Sequence, residues 1–500
     1  MRKLTSRVAF LLASLPVLLS AQNYVFGPNV RVNDDSPGSH GHMLRSPGRR
    51  NIAARGDTVY VAEASDRAND GYFHAYFARS TDGGGSFLPS IRVDSNQDVT
   101  NGPSLALDDS GSVHLCWGGR TLTGYPCISY AKSTDGGQSF SVPIAASETC
   151  YDRSASIAVS RGGQRVYVAR DQGVYPDYDV ILSRSTDGGR TFALPETRVN
   201  SDTTESATNP TVAVFDDSLL MIAWDAYGLG VYFSRSTNGG LTFEDQRMLN
   251  DTAGGSARER ASIGADSTDG VYVVYRHPAA ALSISMSSDT GSTFQPERAI
   301  PGTAGDNPSL RVSPDGKLYL AYDCPGGSSD VVRFIFSPDR GDTFFSPVNP
   351  CDAPYAAGVL FPTVSANERG QAFVAWEDNR NDLHGFNDDV YLAAGVMSGI
   401  AETRRDLLEV NALHVWPNPC RATLHVCCSD AAHRPTSIEV FDLSGRLVRL
   451  LSGLRSHSDG WTVDWDGSDV SGTAGAPGIY FIRVSTTGGN LTRQVQFLGK

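Results

Sequence analysis

Along the chain, short apolar runs alternate with polar, Gly-rich breaks in an order that repeats. Seven segments share one layout: an apolar strand, a polar turn and a second apolar strand. They read NIAARGDTVYVAE, PSLALDDSGSVHLCW, ASIAVSRGGQRVYVAR, PTVAVFDDSLLMIAW, ASIGADSTDGVYVVY, PSLRVSPDGKLYLAY and PTVSANERGQAFVAW, and begin at Asn51, Pro103, Ala155, Pro210, Ala261, Pro308 and Pro362. Alternation of this kind between turn residues predicts half-buried strands. A third strand follows each pair (VYFSRS, DVILSRS), then a polar phrase, then a fourth strand ending like SIRVDS.

The polar phrase fits S-x-[DN]-x-G-x-[ST]-F six times, from Ser80, Ser133, Ser185, Ser236, Ser287 and Ser337. Its acidic or amide positions are Asp82, Asp135, Asp187, Asn238, Asp289 and Asp339, and successive copies lie 53, 52, 51, 51 and 50 residues apart. A fixed period of this size marks a repeat architecture, and four strands per unit describe a propeller blade. The phrase falls between the third and fourth strands, so it predicts a hairpin turn: Gly supplies positive φ, and Ser and Asp tie down backbone N–H groups. Six copies spread around a ring cannot converge on one substrate, which makes these residues structural.

The seventh unit, Pro362 to Gly395, has three strands and lacks the phrase. Its missing strand is at the other end of the chain, where FGPNVRVN (26–33) matches FLPSIRVD (87–94). The N-terminal strand is therefore expected to close the last blade, removing an exposed sheet edge. The expected fold is all-β, a seven-bladed propeller over residues 22–396, working as a monomer.

Composition narrows the function classes. The net charge of −13 with no basic stripe argues against a nucleic-acid partner. There is no P-loop, dinucleotide fingerprint or paired-Cys zinc spacing, so no cofactor is expected. A basic start, the short apolar run VAFLLASLPVLL (8–19) and Ser20-Ala21 predict a signal peptide over 1–21, with no transmembrane helix in the mature chain. Export permits disulfides, and Cys127 with Cys150 and Cys324 with Cys351 are candidate pairs, each within one repeat. Cys116 lies in a strand pattern and is expected as a buried thiol.

The S-x-D-x-G-x-[ST]-F repeat resembles the Asp-box (BNR) repeat of sialidase-type propellers. That resemblance implies that the boxes lie on the face opposite the ligand site. After a polar linker, 397–406, the pattern changes, and evenly spaced strands over 407–500 suggest an Ig-like sandwich. Pro417-Asn418-Pro419, Val440-Phe441-Asp442 with Gly445-Arg446, Trp465-Asp466-Gly467 and Gly478-Ile479-Tyr480-Phe481 resemble the C-terminal sorting domain of type IX secretion cargo. The resemblance implies that the type IX machinery is a partner and that the protein is secreted or held at the outer surface.

The repeats also serve as an internal comparison for the ligand face. Five second strands end in Trp117, Trp224, Tyr275, Tyr322 or Trp376, whereas the other two carry Glu63 and Arg170. The next position gives Asp171, Asp225, Arg276, Asp323 and Glu377, with Asp66, Arg67, Arg120, Asp378 and Arg380 just beyond. These residues suit either a rim of salt bridges or a binding site. We expect a central opening rimmed by Glu63, Arg67, Arg170, Asp171, Arg276 and Arg380 to take an anionic or polyhydroxylated glycan.

The family's phrase for its first substrate-binding arginine has its nearest counterpart in Tyr151-Asp152-Arg153, which lacks the Ile and Pro. His40 and His42 lack a further ligand at diagnostic spacing, so no metal site is assigned; Glu377 to Asp382 with Asn387 to Asp389 could hold Ca²⁺ but lacks EF-hand spacing. Recognition of an extracellular glycan or protein ligand is the leading reading. An exo-α-sialidase type of glycoside hydrolase and a structural or adhesive repeat are the alternatives.

Overall fold

The structure, a computed structural model, describes residues 23–499 apart from 96–97, 100, 121–125, 149–151, 175, 227, 251–259, 277–280, 325–330, 353–357, 383–386, 399–412, 417–419, 429–434, 443–445, 458–459 and 487–488. The expected signal peptide and most of the expected linker lie outside these residues. The chain divides into two units, 1–397 and 398–500.

In the first unit the described residues form seven antiparallel sheets. Their inner strands are Ile52–Arg55, Ser104–Leu107, Asp152–Val159, Ala207–Val214, Ser262–Ala265, Asp306–Val312 and Val359–Ala366. Each contacts the next, and the last contacts the first, in a closed cycle. Side chains alternate across each strand, so every sheet offers an apolar face to both neighbours. Seven separate apolar clusters result, one between each pair of neighbours. One joins Val59 and Val61 of the first sheet to Phe373, Ala375 and Leu392 of the last.

Two N-terminal strands complete the last sheet. Tyr24–Phe26 pairs with Gly395 to Met397, and Val30–Arg31 with Leu392 and Tyr391, all on the outer edge. Arg31 faces Tyr391 as Arg92 faces Tyr76 in the first sheet. In four sheets the side chain after the outer strand then accepts a hydrogen bond from the third strand. Asp94 does so from Ala75 N–H, Asn200 from Val180 and Asn250 from Val231. Asn33 does so from Val390, so the register of the closing strand follows the other sheets.

The six polar phrases fold into one kind of turn after the third strand. At Asp289, one carboxylate oxygen accepts from the Ser287 hydroxyl at 2.7 Å and the Thr293 N–H at 2.8 Å, the other from the Thr293 hydroxyl at 2.7 Å. Those donors hold the carboxyl down to about 2. Gly291 follows at φ 80°, a left-handed conformation that Gly adopts without a Cβ clash.

The second unit has two four-stranded antiparallel sheets. Leu424, Val426, Val463 and Trp465 of one and Val440, Ile482, Val484 and Val495 of the other share one core. Among the described residues no helix is long and apolar enough to cross a membrane.

Candidate functional site

Second strands end, and inner strands begin, at the end of each sheet opposite the six polar turns. The carboxylates placed there staple neighbouring sheets together. Asp171 accepts from Asn209 N–H at 3.3 Å, Asp225 from Ala261 N–H at 3.2 Å and Asp323 from Phe361 N–H at 3.1 Å, each on the next inner strand or just before it. Glu377 accepts from Leu44 N–H at 2.7 Å, reaching the segment that leads into the first sheet. Burial pushes Asp225 and Asp323 up to about 6 and raises Glu377 as well.

The two residues that break the aromatic pattern do not reach a central opening, which corrects the expectation for both. Arg170 is fully buried and donates to Glu196 at 2.6 Å and Ser183 at 3.2 Å, toward the outer edge of its sheet. In a later sheet Tyr275, Glu297 and Ser285 occupy the matching positions and bond in the same way. Glu63 is equally buried, against His42 at 3.0 Å and Arg67 at 2.9 Å. A buried charge is retained where a partner compensates its lost hydration.

Other expected rim residues are similarly engaged. Arg67 stacks on Tyr76 at 3.6 Å and binds Asp34, and Asp66 accepts from Gly41 N–H. Arg380 stacks on Tyr391 at 3.9 Å and bonds Asp378, Asp352 and Asn29 beside the closing strand. Arg276 stands near the channel mouth, 3.9 Å from Asp306, and Asp171 lies there too, bonded to Asn209. The side chains of Arg120 and Arg153 lie outside the described residues.

His42 sits between Glu63 and Asp35. Burial opposes its charge, but the two carboxylates overcome that and push the ring up to about 10. Donor atoms of Asp35, His42 and Asp389 lie within 4.8 Å of one another, and the His42 ring is hydrogen-bonded to Glu63 and Asp35 there. Several groups of the Glu377–Asp382 segment and of Asn387–Asp389 are already hydrogen-bonded; Asp389, for instance, accepts from Asn33, Gly38 and Asn381.

Cys127 is disulfide-bonded, with Cys150 outside the described residues, whereas Cys324 and Cys351 are thiols, contrary to the expected pair. The Cys351 sulfur instead faces Arg380, 3.4 Å from its guanidinium. Cys116 is a buried thiol whose pKa burial raises.

The segment from Ser36 to Arg50 crosses from the last sheet to the first and descends into the ring. Ser262 donates to the Gly48 carbonyl at 3.1 Å; Ser309 at 3.1 Å and Thr363 at 2.6 Å donate to that of Arg49. Gly48 has φ 61° and lies so close to Thr211 that a Cβ would collide with it. The channel below, of about 200 Å³, is bordered by every inner strand.

At the mouth three guanidiniums converge on one ring. Arg45, Arg49 and Arg260 stand 4.6, 4.7 and 5.8 Å from the centre of Phe361. Arg45 is paired with Glu377 at 3.0 Å and Arg260 lies 3.7 Å from Asp306, whereas Arg49 bonds the neutral Asn307 amide at 2.6 Å. Burial and the neighbouring Arg260 lower Arg49 to about 10. Arg49, Asn209, Arg260, Asn307 and Phe361 all hold φ near 50°, a conformation costly for residues with a Cβ and concentrated at functional sites. Beside them Asp388 is pushed up to about 7 by burial and by Glu377, with Arg45 opposing.

Arg45, Arg49, Arg260 and Phe361 were not among the expected site residues, and Asp388 entered the sequence reading only as part of a possible Ca²⁺ segment. A signal existed: Asn209-Pro210 and Asn307-Pro308 open two inner strands, and Arg260 and Phe361 replace that Asn in two others.

Residues 414–497 match the family described as the secretion system C-terminal sorting domain. The chain is an exported protein. It is secreted or attached at the cell surface, and its tail addresses it to the type IX secretion system. No curated protein matches the chain. Among solved structures, an ulvan lyase of polysaccharide lyase family PL25 is similar at TM-score 0.50 and 12% identity, over 72% of this chain and 94% of that one. A protein of unknown function from Dyadobacter fermentans matches at TM-score 0.47 and 13% identity, over 74% and 98%. A sialidase of Streptococcus pneumoniae matches at 0.43 and 10%, over 75% and 94%. At these identities the likeness concerns the fold alone.

Proposed function

We propose that the seven sheets are the blades of an Asp-box propeller, carried by an Ig-like sorting tail, and that its channel mouth binds an acidic extracellular saccharide. The observation that carries this reading is the convergence of Arg45, Arg49 and Arg260 on Phe361. Like charges held together repel, and an anion entering between them relieves the repulsion. Guanidinium forks match carboxylate and sulfate oxygens in pairs, and an aromatic face suits the apolar side of a sugar ring. The mouth is reachable: Arg45, Arg260 and Arg276 keep 42%, 23% and 30% of their side-chain surface.

A second reading, an exo-acting glycoside hydrolase, is favoured by Asp388. A carboxyl at about 7 holds its proton near neutral pH, as a general acid must. The Tyr275–Glu297 pair, the nearest counterpart of a sialidase nucleophile among the described residues, is bonded toward the outer edge of its sheet and not beside Asp388. Binding is therefore the leading function.

A glycan array with the full chain tests both readings. Retention of uronic-acid, sialylated or sulfated saccharides over neutral ones is expected. Retention of neutral glycans alone, or of none, overturns the reading and leaves a structural surface repeat. Release of free sugar from a retained glycan, lost in Asp388→Asn, would promote the hydrolase.

A further inference from the structure

The inner strands offer a comparison deeper in the channel. At one level of the ring each places a residue opposite the same second-strand position: Ala53, Ala106, Ala158, Ala213, Gly264 and Ser365 in six sheets, and Arg311 in the remaining one, the sixth. Six small side chains leave room at the axis, and one long cation borders it. Arg50 enters the same space from the segment that plugs the mouth, bonding only neutral groups, the Thr211 hydroxyl and the Ile263 carbonyl.

Among the described residues no Asp or Glu borders this cavity; its other lining, Arg49 excepted, is Ala, Gly, Val, Leu and Ile. Arg311 makes no hydrogen bond or ion pair among the described residues, and it keeps accessible surface because it borders the channel rather than packed core. Burial and the Arg311 charge lower Arg50 to about 10, and burial lowers Arg311 too. Two guanidiniums facing one narrow channel repel each other, and among the described residues bordering it no carboxylate offsets them.

We propose that a small inorganic anion, of a size between chloride and sulfate, binds in the central channel between Arg50 and Arg311. The ion compensates both charges, bridges the plug segment to the sixth sheet, and so fastens the plug on which the mouth is built. The site is separate from the saccharide site and stands whether or not a saccharide binds above it.

Crystals of the full chain grown in sodium bromide, measured at the bromine absorption edge, test the site directly. An anomalous peak within hydrogen-bond reach of both guanidiniums is expected; a channel without one overturns the proposal. In solution, Tm is followed against bromide at constant ionic strength, with sodium gluconate as the bulky replacement. The parent should rise by a few degrees and saturate, as linkage to a bound ligand requires. Arg311→Ala, which gives the sixth sheet the small residue of the others, should lose that rise. Equal bromide responses in parent and variant would overturn the proposal.

Discussion

The backbone N–H of Val390 donates to the side-chain oxygen of Asn33 at 2.9 Å, joining residues 357 positions apart in the chain. The bond repeats what Asp94, Asn200 and Asn250 do within their own sheets. Ring closure thus uses the standard parts of the repeat, supplied from the opposite end of the sequence. Asn33→Ala should cost about 1 kcal/mol for the lost bond. Deleting residues 22–34 should open the ring and expose an edge, read as a large fall in Tm or as aggregation. A deletion variant that melts like the parent would refute the closure.

The polar turns are expected to carry stability and no binding. Asp289→Ala removes three accepted hydrogen bonds and should lower stability by about 1–2 kcal/mol, with saccharide binding unchanged. The folded carboxyl titrates at about 2 and the unfolded one near 3.8. Its contribution is therefore present above that upper value and lost as pH falls through the lower. Urea melts of parent and variant should differ at pH 7 and converge below pH 2.

His42 holds Glu63 and Asp35 together as a buried cation. Its pKa is about 10 folded against 6.5 unfolded, so its stabilisation is complete below pH 6.5 and is lost as pH rises toward 10. His42→Ala leaves Glu63 buried with Arg67 alone and should cost about 3 kcal/mol or more. A variant as stable as the parent at pH 6 would show that the pair does not hold the segment.

Asp388 has the same sign as His42, in a lower pH window. The folded carboxyl titrates at about 7 and the unfolded one near 3.8, so stability falls as pH rises between those values. Asp388→Asn should melt above the parent at pH 8 and together with it at pH 4. A parent more stable than the variant at pH 8 would refute the raised pKa.

The repeat made the strand order readable because alternation, turn chemistry and period agree in every unit, and FGPNVRVN reads as an outer strand for the same reason. The site was less legible. Glu63 and Arg170 stood out as charges in an aromatic column, but sequence does not reveal Glu196 beside Arg170 or His42 beside Glu63. A charge that breaks a pattern marks a partner as readily as a ligand. Arg45 and Arg49 lie in a connecting segment outside the repeat, where no internal comparison applies. Their approach to Phe361, more than 300 residues on, depends on the plug entering the ring.

The central claim is that the guanidinium cluster around Phe361 takes an acidic saccharide, and calorimetric titration of the full chain with a uronic-acid oligosaccharide and its neutral counterpart tests it most directly. The variant of choice is Arg260→Asn, because Asn209 and Asn307 hold the same left-handed backbone at matching positions. The predicted result is binding of the acidic ligand alone, weakened by added salt and about tenfold or more by the substitution, a loss of at least ~1.4 kcal/mol. Equal affinity of parent and variant, or binding of the neutral oligosaccharide to the same extent, would contradict the account.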